Sequence, residues 1–167
     1  FYIDQLPTNN KKKCINKCSI IPPSEIKFKP GQQTRIIVIG DIHGDFNALL
    51  HALYKSKVID LNGNWKGGNT IVVQLGDQID KGGRGFISTD YTHDNLEELK
   101  IIEFMHHLNN LAAKTNGAVY NLIGNHELMN VLGDFRYATN EHINGFGGNK
   151  MRKLLFQPGG PIAKKLA

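Results

Sequence analysis

At 167 residues the chain holds one domain's worth of protein, and 40% apolar with 21% charged residues is globular rather than disordered composition. The formal charge of +5 is a mild excess, and no stretch approaches the ~20 apolar residues of a membrane-spanning helix. Lys11, Lys12, Lys13 and Lys17, and the basic residues between Lys150 and Lys165, read as solvated loop and helix faces. No nucleic-acid module is recognisable.

Residues 1–34 are polar and carry Pro22-Pro23 and Pro30-Gly31, the composition of a peripheral segment. Its two cysteines, Cys14 and Cys18, lack further metal-ligating partners nearby. They read as free thiols or one weak bridge, and an intracellular location is the expectation. The chain opens at Phe1 without a continuous apolar leader.

Residues 35–40 form a β-branched run without polar alternation, the pattern of a strand buried on both faces. Residues 45–57 follow with Phe46, Leu49, Leu50 and Leu53 at helical spacing, and Asp45 is placed to cap that helix. Asn62-Gly63-Asn64 and Gly67-Gly68-Asn69 are turn material before a second apolar strand at 70–75. A Gly-rich loop at 82–93 precedes a periodic helix at 94–114, and a third strand occupies 118–123. The last residues read as a helix just beginning. Strand, helix, strand, helix, strand predicts an α/β domain with parallel βαβ units.

Each predicted strand ends in a similar way: Gly40-Asp41-Ile42-His43-Gly44, Gly76-Asp77-Gln78-Ile79-Asp80 and Gly124-Asn125-His126-Glu127. A parallel sheet brings the carboxyl ends of its strands to one edge, where open α/β folds bind ligands. That edge would carry Asp41, His43, Asp77, Asp80, Asn125 and His126 together. Carboxylates, an amide oxygen and imidazoles suit divalent transition metals, and converging carboxylates repel unless a cation neutralises them. A single Gly-Asp after a strand is ordinarily a structural turn; three in register form a joint signal.

These motifs resemble those of the calcineurin-like metallophosphoesterases, specifically the phosphoprotein phosphatase branch. The segment Leu128-Met129-Asn130-Val131-Leu132-Gly133-Asp134-Phe135-Arg136-Tyr137 is similar to that of bacterial-type Shewanella-like phosphatases. The resemblance covers residues 35–167 and implies a layered β-sandwich flanked by helices, of which this chain supplies the N-terminal part. It implies two divalent metal ions, manganese, iron or zinc. Asp41 and His43 would hold the first, Asp77 would bridge, and Asn125 would hold the second. A water activated by the cations would attack phosphorus. His126, held by Asp80, would protonate the leaving group.

Two departures accompany the resemblance. Lys81 stands where the family has an arginine that clamps phosphate, which keeps the charge and loses the bidentate fork. Arg84 and Arg136 are further candidate phosphate contacts, with surface or structural ion pairs as their plain alternative. The two downstream histidines that complete the family's second metal site have no counterpart: the only histidine after His126 is His142, read as a polar loop residue. His51, His106 and His107 read as helix-surface residues, His93 as a loop residue, and Trp65 and Tyr91 as packing residues.

The expected function is hydrolysis of phosphomonoesters, with a phosphorylated protein or a small phosphoester as substrate. Serine/threonine phosphatase activity is the leading form. A dinucleoside polyphosphate phosphoesterase is the alternative within enzymes, and a catalytically inactive metal-binding or regulatory module the alternative outside them.

Overall fold

The computed structural model describes residues 31, 33–82 and 96–166. Three short strands, β1 (Ile36–Ile39), β2 (Ile71–Gln74) and β3 (Ala118–Asn121), form one parallel sheet in the order β1-β2-β3. Ile39 pairs with Gln74, and Gln74 with Asn121, so the three carboxyl ends are level. The buried Gln74 amide fastens that edge, donating to the Gly40 carbonyl at 3.2 Å while its oxygen accepts from the Gly76 amide at 2.9 Å.

The crossovers are α1 (Phe46–Lys55) and α2 (Glu97–Ala113). Asp45 caps α1, its Oδ1 accepting from the Ala48 amide at 2.8 Å. The helix stops two residues short of the expected end, with Lys57 in a left-handed conformation. The second helix starts later than expected: Leu96 is left-handed and α2 begins at Glu97, whereas residues 94 and 95 of the predicted helix lie outside the described residues.

After β3 come α3 (Asn125–Leu132), α4 (Asn140–Gly145), α5 (Asn149–Phe156) and α6 (Pro161–Leu166). Only the last of α4 to α6 was foreshadowed by the sequence pattern.

Two apolar clusters surround α2. Ile101, Met105 and Leu108 meet Leu49 and Leu53 of α1 and Ile39, Val72 and Val119 of the sheet. Ile102, one position round the helix, instead joins Phe146, Phe156, Ile162 and Leu166. Thus α2 is apolar on two sides, and its sequence periodicity is broad for that reason. Burying a Leu, Ile or Phe in such a layer contributes about 1.5–3 kcal/mol.

One expectation for β1 requires correction. Ile36 and Val38 are 55% and 60% exposed, so the strand is not buried on both faces. Side chains alternate along a strand. Ile37 and Ile39 face the helical core, while the other two face away from it. No helix among the described residues is long and apolar enough to cross a membrane.

Candidate functional site

The motif loops are tied to one another by backbone before any side chain is considered. The amides of Ile42 and His43 both donate to the Asp77 carbonyl, at 3.0 and 2.9 Å, and Gly44 donates to the Gln78 carbonyl at 2.9 Å. The third motif joins through Glu127 on α3. This fully buried carboxylate accepts from the amides of Asp77, Gln78 and Gly124, each at 2.8 Å. In turn the Asp77 carboxylate accepts from the His126 amide at 2.9 Å.

The close approach explains two glycines. A Cβ on Gly76, whose φ is +99°, would collide with the Gly124 backbone, and one on Gly124 would collide with the Asp77 carboxylate. His43, Asp77 and Asp80 themselves sit at positive φ, +47°, +52° and +65°. Left-handed backbone costs an L-residue about 1–2 kcal/mol, so the surrounding contacts hold these three against their own preference.

His43, Asp77 and His126 each offer one ligand atom, and these atoms lie within 4.8 Å of one another. The His43 Nδ1 is 3.2 Å from the Ile79 carbonyl, an acceptor, which assigns the proton to Nδ1 and a lone pair to Nε2. That Nε2 lies 3.7 Å from Asp41 Oδ2. Two electron-rich atoms facing each other beside a nearly buried Asp77 fit a divalent cation. Asp41 lies on the exposed side of this group, and Asn125 is exposed at the first residue of α3.

Behind the donors is a buried polar cluster. His126 is 3% exposed, and its Nδ1 lies 3.0 Å from Asp80 Oδ2. The rings of His43 and Tyr137 stand 4.8 and 5.1 Å from the His126 ring. Burial pushes the Asp80 carboxyl above its ordinary value, opposed by the His126 hydrogen bond and the Arg152 charge. Glu98 is likewise pushed up by burial and opposed by Arg152. Its Oε1 accepts the Asp80 amide at 2.7 Å, which helps hold Asp80 in its left-handed conformation.

His142 is not the polar loop residue expected. It is 2% exposed on α4, with Nδ1 2.7 Å from Glu98 Oε1. Burial, then the charges of Arg152 and Lys81, push its pKa down to about 4. The imidazole is therefore neutral at pH 7 and sits beside Gly44 of the first motif. The sequence pattern missed α4, and with it the helix that carries this ring to Glu98.

The candidate phosphate contacts are placed as follows. Lys81 Nζ is 2.7 Å from Glu97 Oε2. Arg136 is exposed and holds Asp134 through both ends of its fork, with Nε 3.0 Å from Oδ1 and Nη2 2.7 Å from Oδ2. Arg84 lies outside the described residues, as do His93, Tyr91, Cys14 and Cys18. His51, His106 and His107 are exposed on α1 and α2. Trp65 packs against the core cluster, its indole N–H 3.1 Å from the Thr115 hydroxyl.

Comparison with known proteins agrees with the motifs. The family model for calcineurin-like phosphoesterases matches residues 34–164. A Shewanella-like protein phosphatase 2 of Arabidopsis thaliana is 38% identical over 128 residues, which cover 72% of this chain and 29% of that protein. A Shewanella-like protein phosphatase 1 of Plasmodium berghei is 39% identical over 115 residues, 69% of this chain and 28% of that protein. The chain thus spans under a third of these relatives' length. The crystal structure of a cold-active protein-tyrosine phosphatase from a psychrophilic Shewanella species is similar, with a TM-score of 0.61 and 29% identity. That match covers 80% of this chain and 38% of the Shewanella one. With its three motifs gathered at one sheet edge and this family match over most of its length, the chain belongs to the calcineurin-like phosphoesterase family.

Proposed function

We propose that the chain carries the metal-binding and proton-donating part of a phosphatase acting on phosphomonoesters, with phosphorylated protein as the substrate class. The observation that carries this reading is the His126–Asp80 pair at 3.0 Å, set beside the His43 and Asp77 donors. Asp41, His43 and Asp77 would hold one divalent cation, and Asp77 with Asn125 a second. When bound, such cations neutralise charge on the phosphoryl oxygens and make a water acidic enough to attack at neutral pH.

The chain's own residues do the rest. His126 donates a proton to the departing oxygen from Nε2, the nitrogen that Asp80 does not engage. Asp80 engages Nδ1 and so fixes the orientation of the ring. Lys81, Arg84 and Arg136 are the candidates for steering phosphate. Lys81 and Arg136 would each have to exchange a carboxylate partner for substrate, which favours a contact made only on binding. The protein-phosphatase and tyrosine-phosphatase names of the relatives support a phosphoprotein substrate, and leave serine/threonine specificity as a proposal alone.

The test is hydrolysis of p-nitrophenyl phosphate by the full-length protein with manganese, iron or zinc, followed by competition between phosphopeptides and dinucleoside polyphosphates. His126→Ala should retain cation binding and lose about a hundredfold in turnover of an alkyl phosphate such as a phosphoserine peptide. Absence of hydrolysis with every divalent metal would overturn the enzymatic reading, and preference for dinucleoside polyphosphates would overturn the substrate class.

A further inference from the structure

Arg152 on α5 is fully buried, 72 residues from Asp80, and belongs to none of the three motifs. Each face of its guanidinium edge meets a different acceptor. Nη2 donates to Asp80 Oδ1 at 3.1 Å, Nη1 to Glu98 Oε2 at 2.8 Å, and Nε to Asn130 Oδ1 at 2.8 Å. Taking the Asn130 oxygen decides which way that amide turns. Its Nδ2 then donates to Asp80 Oδ2 at 2.8 Å and to the His126 carbonyl at 3.0 Å. One guanidinium therefore fixes one Asp80 oxygen directly and the other through Asn130. The second oxygen is the one that His126 Nδ1 meets.

The surroundings suit a guanidinium and no other cation. Its carbon lies 4.9, 5.0 and 5.7 Å from the ring centres of Phe146, Phe156 and Phe135. A flat, weakly hydrated ion stacks against such walls, whereas an ammonium lacks both the planar fork and the ease of desolvation. Arg152 also balances charge, because Asp80 and Glu98 are two buried carboxylates that would otherwise repel.

We propose that Arg152 is a positioning residue that sets the orientation of the His126 proton donor through Asp80 and Asn130. The proposal rests on the phosphatase reading above and adds a residue from α5 to it. It makes a selective demand. An alkyl phosphate needs its leaving oxygen protonated, whereas p-nitrophenolate departs without that help. A misaligned His126 therefore harms the first reaction more than the second, while general loss of fold harms both alike.

The variants are Arg152→Lys, which keeps the charge and loses the fork, and Phe146→Leu, which keeps the arginine and removes one wall. Both are made in the full-length protein and assayed on a phosphoserine peptide and on p-nitrophenyl phosphate. The expected result for Arg152→Lys is a fall in kcat of about tenfold or more on the peptide, with KM and p-nitrophenyl phosphate turnover within about twofold. Phe146→Leu should show the same selectivity at smaller size, and decides the matter should the lysine variant fail to fold. Independently, the His126 Nδ1 proton resonance of the metal-free protein should shift in both variants. Equal losses on the two substrates, or an unchanged resonance, would overturn the proposal. A wild-type protein that hydrolyses neither substrate would remove the phosphatase reading, and the resonance alone would then decide the positioning role.

Discussion

Replacing Glu127 by Gln changes a single atom in shape and reverses its hydrogen-bonding sense. In the native chain Oε2 accepts two amides, from Asp77 and Gly124, and Oε1 accepts one, from Gln78. Glutamine has one acceptor oxygen, which serves best in the place of Oε2. Its NH2 then points at the Gln78 amide, donor against donor. One charge-assisted bond, about 1.5–3 kcal/mol, is lost, and the remaining two weaken to ordinary bonds. The expected destabilisation is about 2–4 kcal/mol, a large share of the 5–15 kcal/mol typical of a folded domain. Urea unfolding followed by circular dichroism should show the midpoint falling by about 1–2 M at unchanged slope. Cation affinity should fall too, since the Asp77 backbone loses its anchor. A midpoint within about 0.3 M of wild type would refute the reasoning, because it would mean that Gln78 finds another acceptor at no cost.

Three further outcomes follow from the same contacts. Asp77→Asn keeps an oxygen to accept the His126 amide, so thermal stability should change little while manganese affinity, read by paramagnetic resonance titration, falls by at least about tenfold; unchanged affinity would remove Asp77 from the site. Gly124→Ala pushes a methyl group into the Asp77 carboxylate and should cost about 1–3 kcal/mol in thermal unfolding together with cation binding. His142 has its pKa lowered to about 4 from 6.5, so the unfolded chain binds more protons between those values and stability falls as pH drops through that window. The contribution is at most about 3 kcal/mol, and His142→Gln should flatten the pH dependence of stability between pH 4 and 6.5; an unaltered slope would count against it.

The parts legible in the sequence are those encoded locally. Ile36–Ile39, Ile71–Gln74 and Ala118–Asn121 are short apolar runs followed at once by turn chemistry, so both the strands and the level of their ends could be read. Asp45 was legible as a cap because capping needs only three residues. Glu98, Arg152 and His142 were not. Each is a polar residue, for which solvent exposure on a helix or loop is the ordinary outcome, and each is buried because a partner arrives from far along the chain. The Arg152–Glu98 pair spans 54 residues and the His142–Glu98 contact depends on α4, a helix of six residues with little periodicity to detect. Tyr137 shows the opposite case, close in sequence to the third motif yet carrying no pattern that would place its ring against His126. The exposed half of β1 was misread for a related reason: a β-branched run reports apolarity, not what lies above each face.

The left-handed turns at His43, Asp77 and Asp80 bear on how quickly the site could work. Such a bend fixes the direction in which each side chain leaves the backbone, so that less of the site remains to be ordered. The ordering that a looser loop would undergo on meeting a ligand has already taken place during folding. Association should then be limited by stripping water from the incoming ion rather than by rearranging the protein, and binding curves should lack a slow second phase. The same rigidity narrows tolerance for ions of different size, so discrimination among metals becomes a property of bond angles along the chain.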